Sequence, residues 1–198
     1  MAVPGIGKGR LEAFSDGVLA VIITIMVLEL HAPHEAELSA LLEEGPAFLA
    51  YVLSFVFIGI YWNNHHHLLH SVQHVNGAVL WANNLLLFCL SLVPFSTNWM
   101  GETEFALTPT VVYGVTLFLP GAAYYLLLQA LLRLHGRDST LARAVGRTYK
   151  EWASMVMYVL GVAGAFIHPY IAIAFYLAVA AMWFIPDRRI EKQLGVDP

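Results

Sequence analysis

Charge is what this sequence has least of. Asp, Glu, Lys and Arg make up 12% of its 198 residues, against 59% hydrophobic, and a soluble domain carries about a quarter. So few charges cannot cover a water-facing surface, which points to a chain solvated by lipid. Cysteine is nearly missing: Cys89 stands alone in an apolar run, which excludes a disulfide framework or a thiolate metal site. The net charge of −4 comes with no basic cluster of the kind nucleic acid requires. No Asp or Glu occurs between Glu44 and Glu102, and neither His-Glu-x-x-His nor Gly-x-Ser-x-Gly is present, so no enzyme class is suggested. No polar linker interrupts the chain, and 1–198 reads as a single domain.

What the sequence has in abundance is long apolar segments. Crossing the hydrocarbon takes about 20 apolar residues, and six stretches approach or exceed that, near 13–30, 46–68, 78–100, 109–134, 150–168 and 170–186. They predict an all-α integral membrane protein with six transmembrane helices. The first is read as a span and not as a signal peptide, since Pro33 follows the only plausible cleavage site. The ten Lys and Arg residues all lie at Lys8 and Arg10, between the fourth and fifth segments (Arg133, Arg137, Arg143, Arg147, Lys150), or after the sixth (Arg188, Arg189, Lys192). The opposite connections carry Glu35, Glu37, Glu43, Glu44, Glu102 and Glu104 and no basic residue. Basic residues favour the cytoplasmic side of a bilayer, so a multi-pass protein of the inner (plasma) membrane with both termini cytoplasmic is expected. Tyr51, Tyr61, Trp62, Trp99, Trp152 and Trp183 fall near span ends, as an aromatic belt requires.

The first segment differs from the others. Its uncharged run, Gly17 to Leu28, is 12 residues, about 18 Å of helix at about 1.5 Å per residue. Asp16 and Glu29 bracket it. A carboxylate near the bilayer centre costs about 2.5–3.5 kcal/mol, so such residues face protein or water. Phe14, Gly17, Val21, Thr24 and Leu28, with Ile25 beside Thr24, recur at steps of three and four and share one face. Spacing allows two readings of that face. It is either the packing face of a sheltered helix or the lining of a narrow pore, with Val21 and Leu28 as apolar constrictions and Thr24 offering a hydroxyl between them.

The run Arg10-Leu-Glu-Ala-Phe14-Ser15-Asp16-Gly17-Val18, continuing through Val21 and Thr24 to Leu28, resembles the signature first helix of the transmembrane protein 175 family of potassium channels. Tyr61-Trp62-Asn63-Asn64-His65-His66, and Trp81-Ala82-Asn83-Asn84 leading to Pro94-Phe95-Ser96, are similar to later stretches of that family. The resemblance covers the first half of the chain well, and the second half agrees mainly in helix number. It implies one six-helix unit per chain, assembled as a homotetramer in the lipid bilayer with the first helices around the pore. It implies passive conduction of monovalent cations, selectively or weakly selectively K+, with K+ as cargo and no cofactor. By position, Val21 takes the narrowest site, where family members often carry Ile or Leu. Thr24 takes a selectivity-related hydroxyl position, with Ile25 beside it, and Leu28 a further apolar ring. Arg10, Phe14, Ser15 and Asp16, with a second-helix histidine (His66) and a third-helix asparagine (Asn84), form a polar network bracing the pore helix.

Other motifs bear on competing readings. Thr110-Val111-Val112-Tyr113-Gly114 echoes the carbonyl-lined filter of ordinary potassium channels, but Val112 stands where that extended conformation needs glycine. His66, His70 and His74 are four apart, with His67 three before His70. Imidazoles at i and i+4 can hold a divalent metal, which motivates an alternative, a proton or divalent-metal transporter using these histidines with Asp16, Glu29 or Glu102. Without a cysteine or a nearby carboxylate the ligand set is incomplete, and His66 is expected instead as a hydrogen-bonding core residue. Buried amides such as Asn83 and Asn84 need partners, which neighbouring helices supply.

Overall fold

The computed structural model describes residues 7–136, 139, 141–142 and 149–184. Among these the regular structure is entirely helical: α1 (Lys8–Leu28), α2 (Leu38–Glu43), α3 (Gly45–His70), α4 (Gly77–Ser91), α5 (Val93–Glu102), α6 (Leu107–His135), α7 (Tyr149–Ala165) and α8 (Pro169–Phe184). Four of these units are long and apolar enough to cross a membrane: α1, α3, α6, and α4 with α5 taken as one run, Gly77–Glu102. Helices α7 and α8 are 17 and 16 residues long. The six-span expectation is therefore matched in length by four spans and approached by two shorter helices.

Local chemistry accounts for the boundaries. Helix α1 starts at Lys8, ahead of its apolar run, and Lys8 Nζ pairs with Glu12 one turn on at 3.6 Å. Helix α3 opens with Pro46 in its first turn, where the missing N–H costs nothing. Asn76 caps α4, its side-chain oxygen accepting from Val79 N–H at 3.0 Å. The third predicted segment is divided at Leu92, and Pro94 in the first turn of α5 cannot donate to the turn before it. The short α2 lies in the acidic connection after α1, where no helix was expected.

Two apolar cores hold the bundle. One joins α1, α4 and α6 with the end of α3, through Leu19, Ile22, Met26, Leu69, Leu86 and Leu127. The other joins α3, α5, α6, α7 and α8, through Phe57, Met100, Tyr113, Tyr158 and Tyr176. Helices approach most closely where side chains are smallest. A Cβ at Gly101 would lie 2.7 Å from Ala47 Cα, and one at Gly114 would run into the Tyr176 hydroxyl. Of the basic residues that set the expected orientation, Arg137, Arg143, Arg147, Arg188, Arg189 and Lys192 lie outside the described residues.

Candidate functional site

Helix α1 has two unlike faces. Leu11, Ser15, Leu19, Ile22 and Met26 are buried against the rest of the chain. The opposite face carries the stripe identified in the sequence. Val21 is 56% exposed, Ile25 42% and Leu28 76%, and Phe14, Gly17 and Thr24 are exposed with them. Within one chain the stripe is therefore not a packing face, and Ile22, about 100° around the helix from Val21, is 3% exposed. Between Val21 and Leu28 the Thr24 hydroxyl donates back to the Ala20 carbonyl, a common way for Thr to satisfy its O–H inside a helix.

Beside this face lies a groove of about 930 Å3. Val18, Val21 and Ile25 of α1 form one wall, and Pro94, Phe95 and Trp99 of α5 the other. Glu29 and Glu102 also line it, both at the end of their helix remote from Lys8. Phe14 lines the same groove; it belongs to the exposed face and not to the bonded network.

The buried face of α1 meets a polar chain across three helices. Ser15 Oγ donates to Leu11 O at 2.8 Å and accepts from Asn83 Nδ2 at 3.0 Å. Asn83 Oδ1 accepts from His65 Nε2 at 2.7 Å. Ser15 and Asn83 are fully buried, and His65 is 3% exposed. These bonds give the buried hydroxyl, amide and imidazole partners that apolar surroundings would otherwise deny them. Within the chain these bonds run through His65 and Asn83, while His66 and Asn84, the residues expected from the sequence, are exposed. Neighbouring helical residues point about 100° apart, so only one member of each pair can face α1. Asp16 is exposed and accepts from Trp62 Nε1 at 3.1 Å, a link from α1 to α3. Arg10 is exposed near the start of α1, and among the described residues no side-chain hydrogen bond joins it to this network.

The histidines form a column. The Trp62 and His66 rings stack at 6.1 Å, and His66 and His70 at 6.0 Å, while His74 sits 4.6 Å from His135 of α6. Among the described residues, no three His, Cys, Asp or Glu side chains converge as a metal ion requires.

A second polar knot had not been singled out in the sequence. Ser54 Oγ lies 2.7 Å from Thr97 Oγ1 and 2.8 Å from Tyr113 Oη, all buried, and Tyr176 Oη donates to Thr110 O at 3.2 Å. Its only signal was scattered hydroxyls in otherwise apolar helices. It also disposes of the filter-like run: Thr110 to Gly114 are turns of α6, and Tyr113 faces the core.

Residues 10–94, which hold nearly all of α1, then α2, α3, α4 and the start of α5, match the family model described as endosomal/lysosomal potassium channel TMEM175. A protein of Chryseobacterium sp. (strain P1-3), named as a potassium channel, is 54% identical over 187 residues, covering 94% of this chain and 97% of its own. A potassium channel of Chamaesiphon minutus is 40% identical over 100 residues, about half of either chain. The crystal structure titled as a lysosomal potassium-selective channel TMEM175 homolog from the same organism superposes with a TM-score of 0.79 at 28% identity, over 92% of this chain and 97% of that one.

Proposed function

The chain belongs to the TMEM175 family of potassium channels, and from that membership we propose that it is a passive cation channel favouring K+, with α1 of several copies lining a central pore. Conduction makes and breaks no bond, so the site needs no nucleophile, general base or cofactor. The carrying observation is the exposed stripe of α1. It lies on a helix whose uncharged run spans only about 18 Å between Asp16 and Glu29, a poor match to about 30 Å of hydrocarbon. Such a face is better placed against water or protein than against lipid tails. One stripe cannot enclose a path, but copies around an axis can, and family resemblance puts the number of copies at four. Val21 and Leu28 then form apolar rings about 10 Å apart along the helix. Thr24 and Ile25 lie between them, and the constrictions gate by wetting and dewetting.

In this reading α1, α3, the α4–α5 pair, α6, α7 and α8 are six spans, and the basic side, with both termini, is cytoplasmic. The polar chain of Ser15, Asn83 and His65 holds α1 in one rotation from behind, so that a fixed face meets the axis. Asp16 and Trp62 add a second tie.

The test is K+ flux through purified protein in liposomes under a K+ gradient. The Val21→Cys protein should conduct until a small thiol reagent is added and then be blocked. Absence of flux would sink the channel reading. Flux insensitive to the reagent would move the pore away from Val21. Accessibility labelling of cysteines placed at Glu43 and Arg143 checks orientation, and labelling of both from one side would overturn it.

A further inference from the structure

The end of α3 separates its histidines. His66 and His70 lie on the helix, which stops at His70, so His74 leaves their register and meets His135, in the last turn of α6, instead. The two ring centroids are 4.6 Å apart and the rings are tilted by 42°. We infer that His74 and His135 form a reversible binding site for one first-row divalent cation of the Zn2+ type, joining the α3–α4 connection to the end of α6.

The tautomer of His135 carries the argument. Its Nδ1 lies 3.1 Å from the Leu131 carbonyl oxygen. A carbonyl only accepts, so Nδ1 bears the proton and the lone pair of the neutral ring is on Nε2. That Nε2 is shut away from solvent and has no hydrogen-bond partner, a state that buried polar atoms rarely keep. A ring that donates one N–H to a backbone carbonyl and keeps a free lone pair on its other nitrogen is oriented as metal-binding histidines are.

His74 supplies the second imidazole. It is exposed in the connection between two helices, where an ion can reach it from water. Zn–N bonds of about 2.0–2.1 Å put the centroids of two imidazoles on one tetrahedral ion about 5 Å apart, so the observed spacing needs only a small side-chain rotation. The backbone under both rings is fixed. Val72 and Val75, on either side of His74, and Leu131, one turn before His135, are buried in the same core. Asn76 caps α4 directly after them. Little ordering is left for binding to pay for.

The donor set chooses the ion. Imidazole suits Zn2+, Ni2+ and Cu2+, whereas Mg2+ and Ca2+ prefer oxygen. Two imidazoles fill half of a four-coordinate shell, and water completes it. No third His, Cys, Asp or Glu joins them among the described residues, so the ion exchanges with solution and is not a resident structural metal. Metal-bound imidazole must be neutral, so affinity falls as the pH drops and the rings protonate.

The test is Zn2+ titration of the full-length protein, free of any affinity tag, by calorimetry at neutral pH, with the melting temperature followed in parallel. Zn2+ should bind the wild type and raise its melting temperature, because the two ligands come together only in the fold. His74→Ala and His135→Ala should each weaken binding at least about ten-fold, a loss that removal of an outer-shell partner alone can cause. The double variant should lose no more than either single one, and His70→Ala should bind as the wild type does. Affinity that survives either single variant, or that is lost with His70→Ala instead, would overturn the assignment. So would a wild type that binds no Zn2+, which would leave the two rings in packing contact only. His74→Ala alters an exposed side chain outside the helices and keeps the test open should His135→Ala fail to fold.

Discussion

The two apolar cores of this chain differ in what their polar residues leave open. Around α1 they join helices: Ser15, Asn83 and His65 tie α1 to α4 and α3 while the far face of α1 is left open. In the second core the hydroxyls of Ser54, Thr97 and Tyr113 meet one another, and Tyr176 donates to the Thr110 carbonyl, inside a tightly packed bundle. Gly114 is there to admit a phenol ring. The difference teaches where variation is tolerated. A helix that leaves one face open needs a fixed rotation, whereas a packed scaffold needs contact on every side.

The largest effects should come from breaking closure. Ile22→Asn places an amide in the packed face of α1 and forfeits aliphatic burial, a loss of about 2–5 kcal/mol before the unpaired amide is counted. Purified yield should collapse. Gly114→Ala should cost about 1–3 kcal/mol by overpacking, read as a lower melting temperature with K+ flux per folded channel unchanged. If Gly114→Ala were neutral, the second core would be looser than its geometry indicates.

Next in size is the tie behind α1. Asn83→Leu leaves Ser15 and His65 without their partner, at about 1–3 kcal/mol, and should lower thermal stability and make conduction variable between channels. Asn84→Leu, one position along and exposed in the chain, should move stability by less than about 0.5 kcal/mol. Equal effects at the two positions would erase the distinction drawn between them.

Smaller in stability, though larger in conduction, is Val21→Asn. Its side chain already stands clear of the chain's own core, so folding should be little changed, while the constriction of the proposed pore should wet. Single-channel recording should show higher conductance and weaker K+ selectivity. The smallest effect belongs to Thr24→Val, nearly isosteric and losing only a hydroxyl already bonded to its own helix. Stability should hold within about 0.5 kcal/mol, and the K+ to Na+ permeability ratio should fall. An unchanged ratio would leave Thr24 without a role in selectivity.

Much of this was legible before any coordinates. Apolar length and the segregation of Lys and Arg from Glu specify a multi-pass membrane chain, because hydrocarbon excludes charge whatever the fold. Helical periodicity places Phe14, Val21, Thr24 and Leu28 on one face of α1, since the angle between residues on a single helix is a local property. Tertiary packing decided what that face meets, because a helix's rotation about its own axis depends on its neighbours. The same packing chose His65 over His66 and Asn83 over Asn84. Each run offers adjacent, chemically identical side chains about 100° apart, and only contact between helices distinguishes them. It also decided the meeting of Ser54 with Tyr113, 59 positions apart. No local pattern encodes such an encounter; it exists only once the helices are packed.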